Sequence, residues 1–563
     1  MSSLVILLIG VVLLILGYIF YGKWLSEQWG LDPNRPTPAH TQTDGLDYVP
    51  AKAPVLLGHH FSSIAGAGPI NGPILAAIFG WVPVFLWIII GGIFFGAVQD
   101  FSSLFASIRH KGQSIGYIIE KNIGVKAKRL FLLFAYLTLL LVVAAFASIV
   151  VSTFNGFDAE GAKVAANGST ATISILFILM AIIFGFSVYR KKAPLGIMTI
   201  AGIIAIVLSI IIGLNFPVYL SAHAWLVIVL IYIYIASVTP VWILLQPRDY
   251  LSSFLLYGMM AAAIIGVFVS HPQLALPAFT GFGGLNGNSQ LFPMLFITVA
   301  CGAISGFHSL VASGTTAKQL NTEKDAKVIG YGGMLIECAL AIMALIAAGI
   351  LFKDGALSTL APTAVFATGI ATMIQGFAGA AAYNVAYALI ILAVSVFCLT
   401  SLDTGTRLGR FMFTEFFLLG EEDRTQLTGW KKVITNPYIS TLITVAIGGA
   451  MALGGYAKVW PLFGAANQLL AGLALLAVAA WLGNIGKNNK MFMFPMAFML
   501  VATITALIIT IISKIKALTA GTGTMGAEGL QVIFGVLLII LAINLAIEGV
   551  RTIRNKKTLK TAE

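Results

Sequence analysis

Apolar runs of roughly 20 residues, the length a helix needs to cross a hydrocarbon core about 30 Å thick, recur from Leu4 to Val550. Polar residues collect in short stretches between them. Read by length, the pattern predicts about fifteen membrane-spanning helices, at 4–20, 54–79, 84–108, 130–154, 173–189, 195–214, 224–245, 251–270, 292–316, 329–352, 380–402, 438–455, 462–482, 491–512 and 532–550. The run 4–20 has no basic stretch before it and no small-residue cleavage site after it, so it is read as a retained span rather than a signal peptide. The polar segments are small: a Pro-rich linker at 33–50, a short surface helix at 112–124 and a charged loop at 421–435. None is long enough to be a catalytic domain.

Composition agrees with this reading. Of 563 residues 59% are hydrophobic and 10% charged, with a mean hydropathy of +0.97; a soluble domain carries about 25% charged residues. The formal net charge of +12 does not mark a nucleic-acid surface. Lys and Arg crowd 109–129, 190–192, 318–327, 407–432, 487–490 and 551–560, while 155–170, 215–223 and 271–290 carry almost none. Such alternation sets topology, and it predicts a cytoplasmic C-terminus and, for an odd number of spans, an outside N-terminus. Cys301, Cys338 and Cys398 lie in apolar runs without metal-site or disulfide spacing, and are read as packing residues. No resident metal or cofactor is expected.

Bare backbone is not tolerated in lipid, so a Gly- and Pro-rich interruption inside a span has to face protein or a water-filled cavity. The clearest is LLGHHFSSIAGAGPINGPILAAIFG, where His59, His60, Ser62, Ser63 and Asn71 flank Gly66, Gly68, Pro69, Gly72 and Pro73. A second interruption is read at Thr239 and Pro240, because proline removes a backbone donor and frees carbonyls a turn earlier. Two broken helices of opposite orientation are the mark of an inverted-repeat secondary transporter. Helix N-termini at the breaks suit an anionic group and bare carbonyls a cation.

In CGAISGFHSLVASGTTAKQL, Ser305, His308, Ser309, Ser313, Thr315 and Thr316 line one helical face. Hydroxyls there serve Na⁺ or substrate, or satisfy their own backbone. Intramembrane ionisable groups are functional candidates by default. Asp100, after Gln99, and Glu337 are therefore read as coupling or gating residues. Asp403 and Arg407, four apart, are predicted to form an intrahelical ion pair near the cytoplasmic end.

At these same segments the sequence resembles the carbon starvation protein family. The resemblance rests on LLGHHFSSIAGAGPINGP, GAVQDFSSLFASIRHKGQSIG, PVWILLQPRDYLSSF, ISGFHSLVASGTTAKQL, LDTGTRLGR and WPLFGAANQLLA, in the family's order. It implies a bacterial inner-membrane permease for peptides or, in related members, for pyruvate taken up with protons. It also implies an architecture similar to the amino acid-polyamine-organocation superfamily, with two inverted five-helix repeats and peripheral helices. The implied division is 1–52 as first helix and linker, 53–215 and 216–403 as the repeats, and 404–563 as loop and additional helices. The matched motifs add Trp242, Gln246, Arg248, Asp249, Asn467 and Gln468 to the residues picked out physically.

The combined expectation is a proton-coupled peptide importer working by alternating access, with a pyruvate or other small-carboxylate symporter as the alternative and Na⁺ as the other coupling ion. Substrate would sit between the breaks, touching His59, His60, Ser62, Ser63, Gly66, Gly68, Thr239, Trp242, Ser305 and His308. Gln99, Asp100, Ser313, Thr316, Glu337, Asp403 and Arg407 would couple or gate. The imidazoles of His59, His60 and His308 are the natural proton carriers. From other classes, a passive channel is compatible with broken helices, and an intramembrane hydrolase would need Asp100 and Asp403 to act as a pair. No phosphate-binding loop speaks for ATP-driven pumping. Oligomeric state is not legible.

Overall fold

A computed structural model describes residues 2–158, 160–418, 427–454 and 456–560. Part of the expected charged loop, 421–426, lies outside the described residues. The described chain is built from helices, with only isolated β-bridges between loops. Apolar sequence and internally satisfied backbone make the helix the one open structure that can cross lipid.

Among the described residues twelve helices are long and apolar enough to cross a membrane. We number the helices in chain order: α1 Ser3–Trp29, the broken pair α2 Ala53–Ala65 and α3 Gly68–Ala76, α4 Trp81–Arg109, the short α5 Ile115–Asn122, α6 Val125–Phe154, α7 Ala165–Arg190 and α8 Leu195–Asn215. Then come α9 Ala222–Val238, α10 Leu245–Ser270, the fragments α11 Leu291–Thr298, α12 Ala300–Ala303 and α13 Gly306–Gly314, then α14 Glu323–Ile350 and α15 Pro362–Ala378. The chain ends with α16 Ala380–Phe417, α17 Pro437–Ala452, α18 Val459–Asn484, α19 Lys490–Thr519 and α20 Leu530–Thr552. Every expected apolar run has a helical counterpart, but α9 and α17 are short and 292–316 is split into three pieces. Residue 404 falls inside α16.

Burial separates a centre from a periphery. The most apolar window of α18 is 94% buried and that of α8 only 17%. α2–α3, α6, α14, α16 and α18 therefore form the middle, and α1, α7, α8, α19 and α20 present apolar faces outward. α6 packs along α16, α10 along α2, and α14 against α3.

The first break is where the Gly–Pro pattern puts it. Gly66 adopts φ 38°, ψ −149°, a conformation that a side chain would strain, and Pro69 sits in the first turn of α3, where its missing N–H costs nothing. Gly68 and Gly72 let α3 lie directly on α11 and α12: a Cβ at Gly68 would come within 2.4 Å of Cys301 Sγ, and one at Gly72 within 2.7 Å of Thr298 O. Small residues at this spacing bring helix backbones together in membranes.

The second break is not at Pro240. That residue lies in the turn joining α9 to α10, with Thr239 extended at φ −76°, ψ 144°. The chain before a proline prefers extended backbone, and here this ends one helix instead of interrupting one. The interruption falls at Ile304 and Ser305, extended at φ −158°, ψ 140° and φ −143°, ψ 125°. The linker 33–50 is also more than a spacer. Thr37 Oγ1 donates to Leu320 O at 2.5 Å and Ala51 N–H to Gln319 O at 2.9 Å, so it straps across the chain that follows α13.

Candidate functional site

Unwinding at Ile304–Ser305 strands backbone groups that have to be satisfied away from water. Three side-chain amides meet them. Gln468 Nε2 donates to Ile304 O, Gln99 Nε2 donates to Ser305 O, and Phe307 N–H donates to Asn467 Oδ1, each at 2.7 Å. Asn467 Nδ2 also donates to Ser305 Oγ at 3.0 Å. Gln99 comes from α4 and Asn467 and Gln468 from α18, and all three side chains are fully buried. Gly306 allows this approach, since a Cβ there would lie 2.3 Å from Asn467 O.

One turn into α13, His308 joins two buried acids. Its Nδ1 lies 2.9 Å from Asp100 Oδ2 on α4, and its Nε2 lies 3.5 Å from Glu337 Oε2 on α14. Both Glu337 oxygens and Asp100 Oδ1 are buried without a hydrogen-bond partner. A carboxylate in that condition is costly, and a bound proton or another ligand would relieve that cost. Cys301, His308 and Glu337 also place potential ligand atoms within 4.8 Å of one another, the one such trio among the described residues.

A second ionic network lies beside the first break. His59 Nδ1 is 2.6 Å from Asp249 Oδ2. Asp249 Oδ1 accepts from Arg248 Nη2 at 2.6 Å and from Thr400 Oγ1 at 3.1 Å. Arg248 Nη1 donates to Asp403 Oδ2 and to Tyr232 Oη, and Tyr232 in turn donates to Asp403 at 2.7 Å. One guanidinium thus serves two carboxylates in a site with almost no solvent exposure. The intrahelical Asp403–Arg407 pair is replaced by these longer-range partners. Arg407 donates instead to Asp47 Oδ1 at 2.9 Å and to the carbonyls of Ala236 and Thr239 at the end of α9. Spacing of four allowed the pair; better-placed partners on α9, α10 and the linker took both ends.

The remaining predicted residues divide. His60 Nδ1 contacts Thr316 Oγ1 at 2.9 Å, Ser63 Oγ contacts Thr404 Oγ1 at 3.1 Å, Ser401 Oγ donates to Ser63 O at 3.0 Å, and Ser62 Oγ donates to Asp249 O at 3.3 Å. These draw α2, α10, the turn after α13, and α16 together. Ser309, Ser313 and Thr315 donate to carbonyls of their own helix, the bland use of hydroxyls in a helix. Thr239 donates to Ile235 O, and Trp242 packs on Phe186 and Tyr189 with the Arg190 guanidinium over its ring. Their contacts are at the α9–α10 turn and not at either break. Asp100 and Asp403 sit in separate networks, so no diaspartyl pair forms. Outside the spans, Asp47 is held below the usual carboxylate range: burial pushes it up, but Arg407, Lys318 and Arg410 outweigh that.

The sequence profile described as "Carbon starvation protein CstA" matches residues 2–363 and 352–506. The chain belongs to the carbon starvation protein family. This family member is 34% identical over 584 residues to the "Peptide transporter CstA" of Escherichia coli (strain K12), covering 90% of the chain and 80% of that relative. It is 32% identical to the "Peptide transporter CstA" of Bacillus subtilis (strain 168), covering 89% of each. It is 33% identical to the "Pyruvate/proton symporter BtsT" of Escherichia coli (strain K12), over 90% of the chain and 81% of that relative. In fold it is similar to the crystal structure of the Eremococcus coleocola manganese transporter in complex with an aromatic bis-isothiourea substituted compound, with a TM-score of 0.51 at 15% identity over 91% of this chain and 99% of that one. The carbon starvation protein described here is a multi-pass membrane transporter.

Proposed function

We propose that this carbon starvation protein imports peptides by proton-coupled alternating access across the bacterial inner membrane, with its C-terminus in the cytoplasm. The observation that carries the reading is the buried trio Asp100, His308 and Glu337, one turn from the second break, with three unpartnered carboxylate oxygens. Two acids and one base are electroneutral only when two protons are shared among them, and neutrality is what a low-dielectric site favours. Protons entering or leaving this trio would change its fit to α4, α13 and α14, and so bias the break beside it. The substrate carboxylate is assigned to the Gly66–Gly68 turn at the start of α3, where helix N-terminal amides attract anions. A small carboxylate such as pyruvate satisfies the same requirement, and relatives are named for each substrate.

The inverted repeats belong to the same proposal. Each half would run broken helix, long helix, shorter helix, very long helix, short apolar helix, long helix. α6 and α16 have 30 and 38 residues, and α9 and α17 have 17 and 16. This pattern favours repeats at 53–270 and 291–484, with the α7–α8 hairpin inserted in the first.

The deciding experiment is uptake of a labelled dipeptide and of labelled pyruvate into proteoliposomes, with and without an imposed proton gradient. Accumulation of the dipeptide above its outside concentration only with the gradient is expected. Downhill flux alone would indicate a channel, and accumulation of pyruvate in place of the dipeptide would name the carboxylate alternative. Glu337→Gln should lose gradient-driven accumulation about tenfold while retaining exchange of internal for external substrate. Full accumulation by that variant would remove Glu337 from coupling.

A further inference from the structure

The carbonyls freed at a broken membrane helix are the natural ligands of a coupling Na⁺, because the end of a half-helix concentrates negative partial charge. At the second break the carbonyls of the two unwound residues, Ile304 and Ser305, are already taken. Ile304 O accepts from Gln468 Nε2 and Ser305 O from Gln99 Nε2, each at 2.7 Å. Both glutamines are fully buried, and the Oε1 atom of each lacks a hydrogen-bond partner. The opposite amide orientation would point oxygen at oxygen, so the carbonyls themselves fix the N–H groups toward the break. The hydroxyls of Ser309, Ser313 and Thr315 donate to carbonyls of their own helix.

We propose that Gln99 and Gln468 are positioning residues that set ion selectivity: their amide N–H groups stand permanently where a cation would bind, closing the break to Na⁺ and leaving coupling to protons. The proposal rests on the proton-coupled reading and adds the residues that enforce it. Each amide brings partial positive charge to a carbonyl at no Born cost, whereas a desolvated Na⁺ would have to displace two buried donors and leave them unpaired. Replacing an amide by a carboxylate reverses the logic. Glutamate cannot donate to the carbonyl when ionised, repels it, and creates an oxygen-lined site that a cation can neutralise.

The test is proton-gradient-driven uptake of labelled dipeptide and pyruvate into proteoliposomes, with either Na⁺ or choline as the remaining cation. It compares the wild-type chain with Gln99→Glu and Gln468→Glu. Wild-type uptake is expected to differ by less than about twofold between the two media. The Glu variants are expected to fall about tenfold in choline and to recover in Na⁺, the size of effect an unpaired buried group produces. A role in packing alone would lower uptake equally in both media. Proton-driven wild-type uptake raised several-fold by Na⁺, or inserted Glu variants indifferent to Na⁺, overturns the proposal and leaves proton coupling standing. Wild-type uptake that ignores the proton gradient removes both. A measurement that needs no variant is thermal unfolding of the detergent-purified wild type in NaCl against choline chloride at equal ionic strength. Equal midpoints are expected, and saturable stabilisation by Na⁺ would count against the idea.

Discussion

The two breaks solve the same problem with different chemistry. At the first, Gly66 and Pro69 write the interruption into the chain itself, and the surroundings are hydroxyls, Ser63, Ser401 and Thr404, beside an ionic network through His59, Asp249, Arg248 and Asp403. At the second there is no proline, and the unwound backbone is held by amides from α4 and α18. The first break is thus a local backbone preference, with hydroxyl contacts and a buried ionic network around it. The second is a tertiary construction, and it fails when its distant partners fail.

The comparison is open to attack at three points, the largest effect first. Arg248→Ala leaves Asp249 and Asp403 buried without their shared cation. A loss of about 3–5 kcal/mol is expected for breaking one side of a buried ion pair, read as poor folding and a lower unfolding midpoint in detergent. Near-wild-type stability would mean that the network is not ionised as drawn. Asn467→Ala strands Phe307 N–H and Ser305 at the second break, and about 1–3 kcal/mol is expected in the same assay. Ser401→Ala removes one hydroxyl from the first break and should cost only about 0.6 kcal/mol, the average of interhelical hydrogen bonds measured in a membrane protein. Equal losses in the last two variants would erase the distinction between the breaks.

The smallest effect concerns Asp47, which touches neither break. Its carboxyl is held below the ordinary value of 3.8 by Arg407, Lys318 and Arg410 despite burial. A depressed acid contributes stability that is fully present above its unfolded pKa and is lost as pH falls through the folded value. The linker latch should therefore be intact at neutral pH and release only below about pH 4. Proteolysis of the 33–50 segment against pH would show it, and Asp47→Asn should flatten the response. Release near neutral pH would assign the latch to another group.

Much of the site was legible before the fold. The apolar runs give the helices, and Gly66–Pro73 gives the first break, because proline and glycine act on their own backbone. Asp100, Glu337 and His308 stand out as ionisable groups in apolar sequence, and the structure brings all three together. Pro240 misled, since a proline ends a helix as readily as it interrupts one. Asp403 and Arg407 misled because spacing shows who can meet and not who has a better partner. Tyr232 carried no sequence signal at all, being one aromatic among many until Arg248 and Asp403 converge on its hydroxyl.

What the sequence determined by itself is that this chain lives in a membrane as a bundle of helices, where its ionisable groups lie, and where one helix must break. Those follow from length, hydropathy and the covalent geometry of glycine and proline, which need no partner. Only the tertiary structure decided that a second helix breaks at Ile304–Ser305. The cost of unwinding there is met by Asn467, Gln468 and Gln99, which lie 162, 164 and 206 positions from their partners at the break. A hydrogen bond across that separation has no local signature, because the energy that opens the helix belongs to the neighbours and not to the segment that opens.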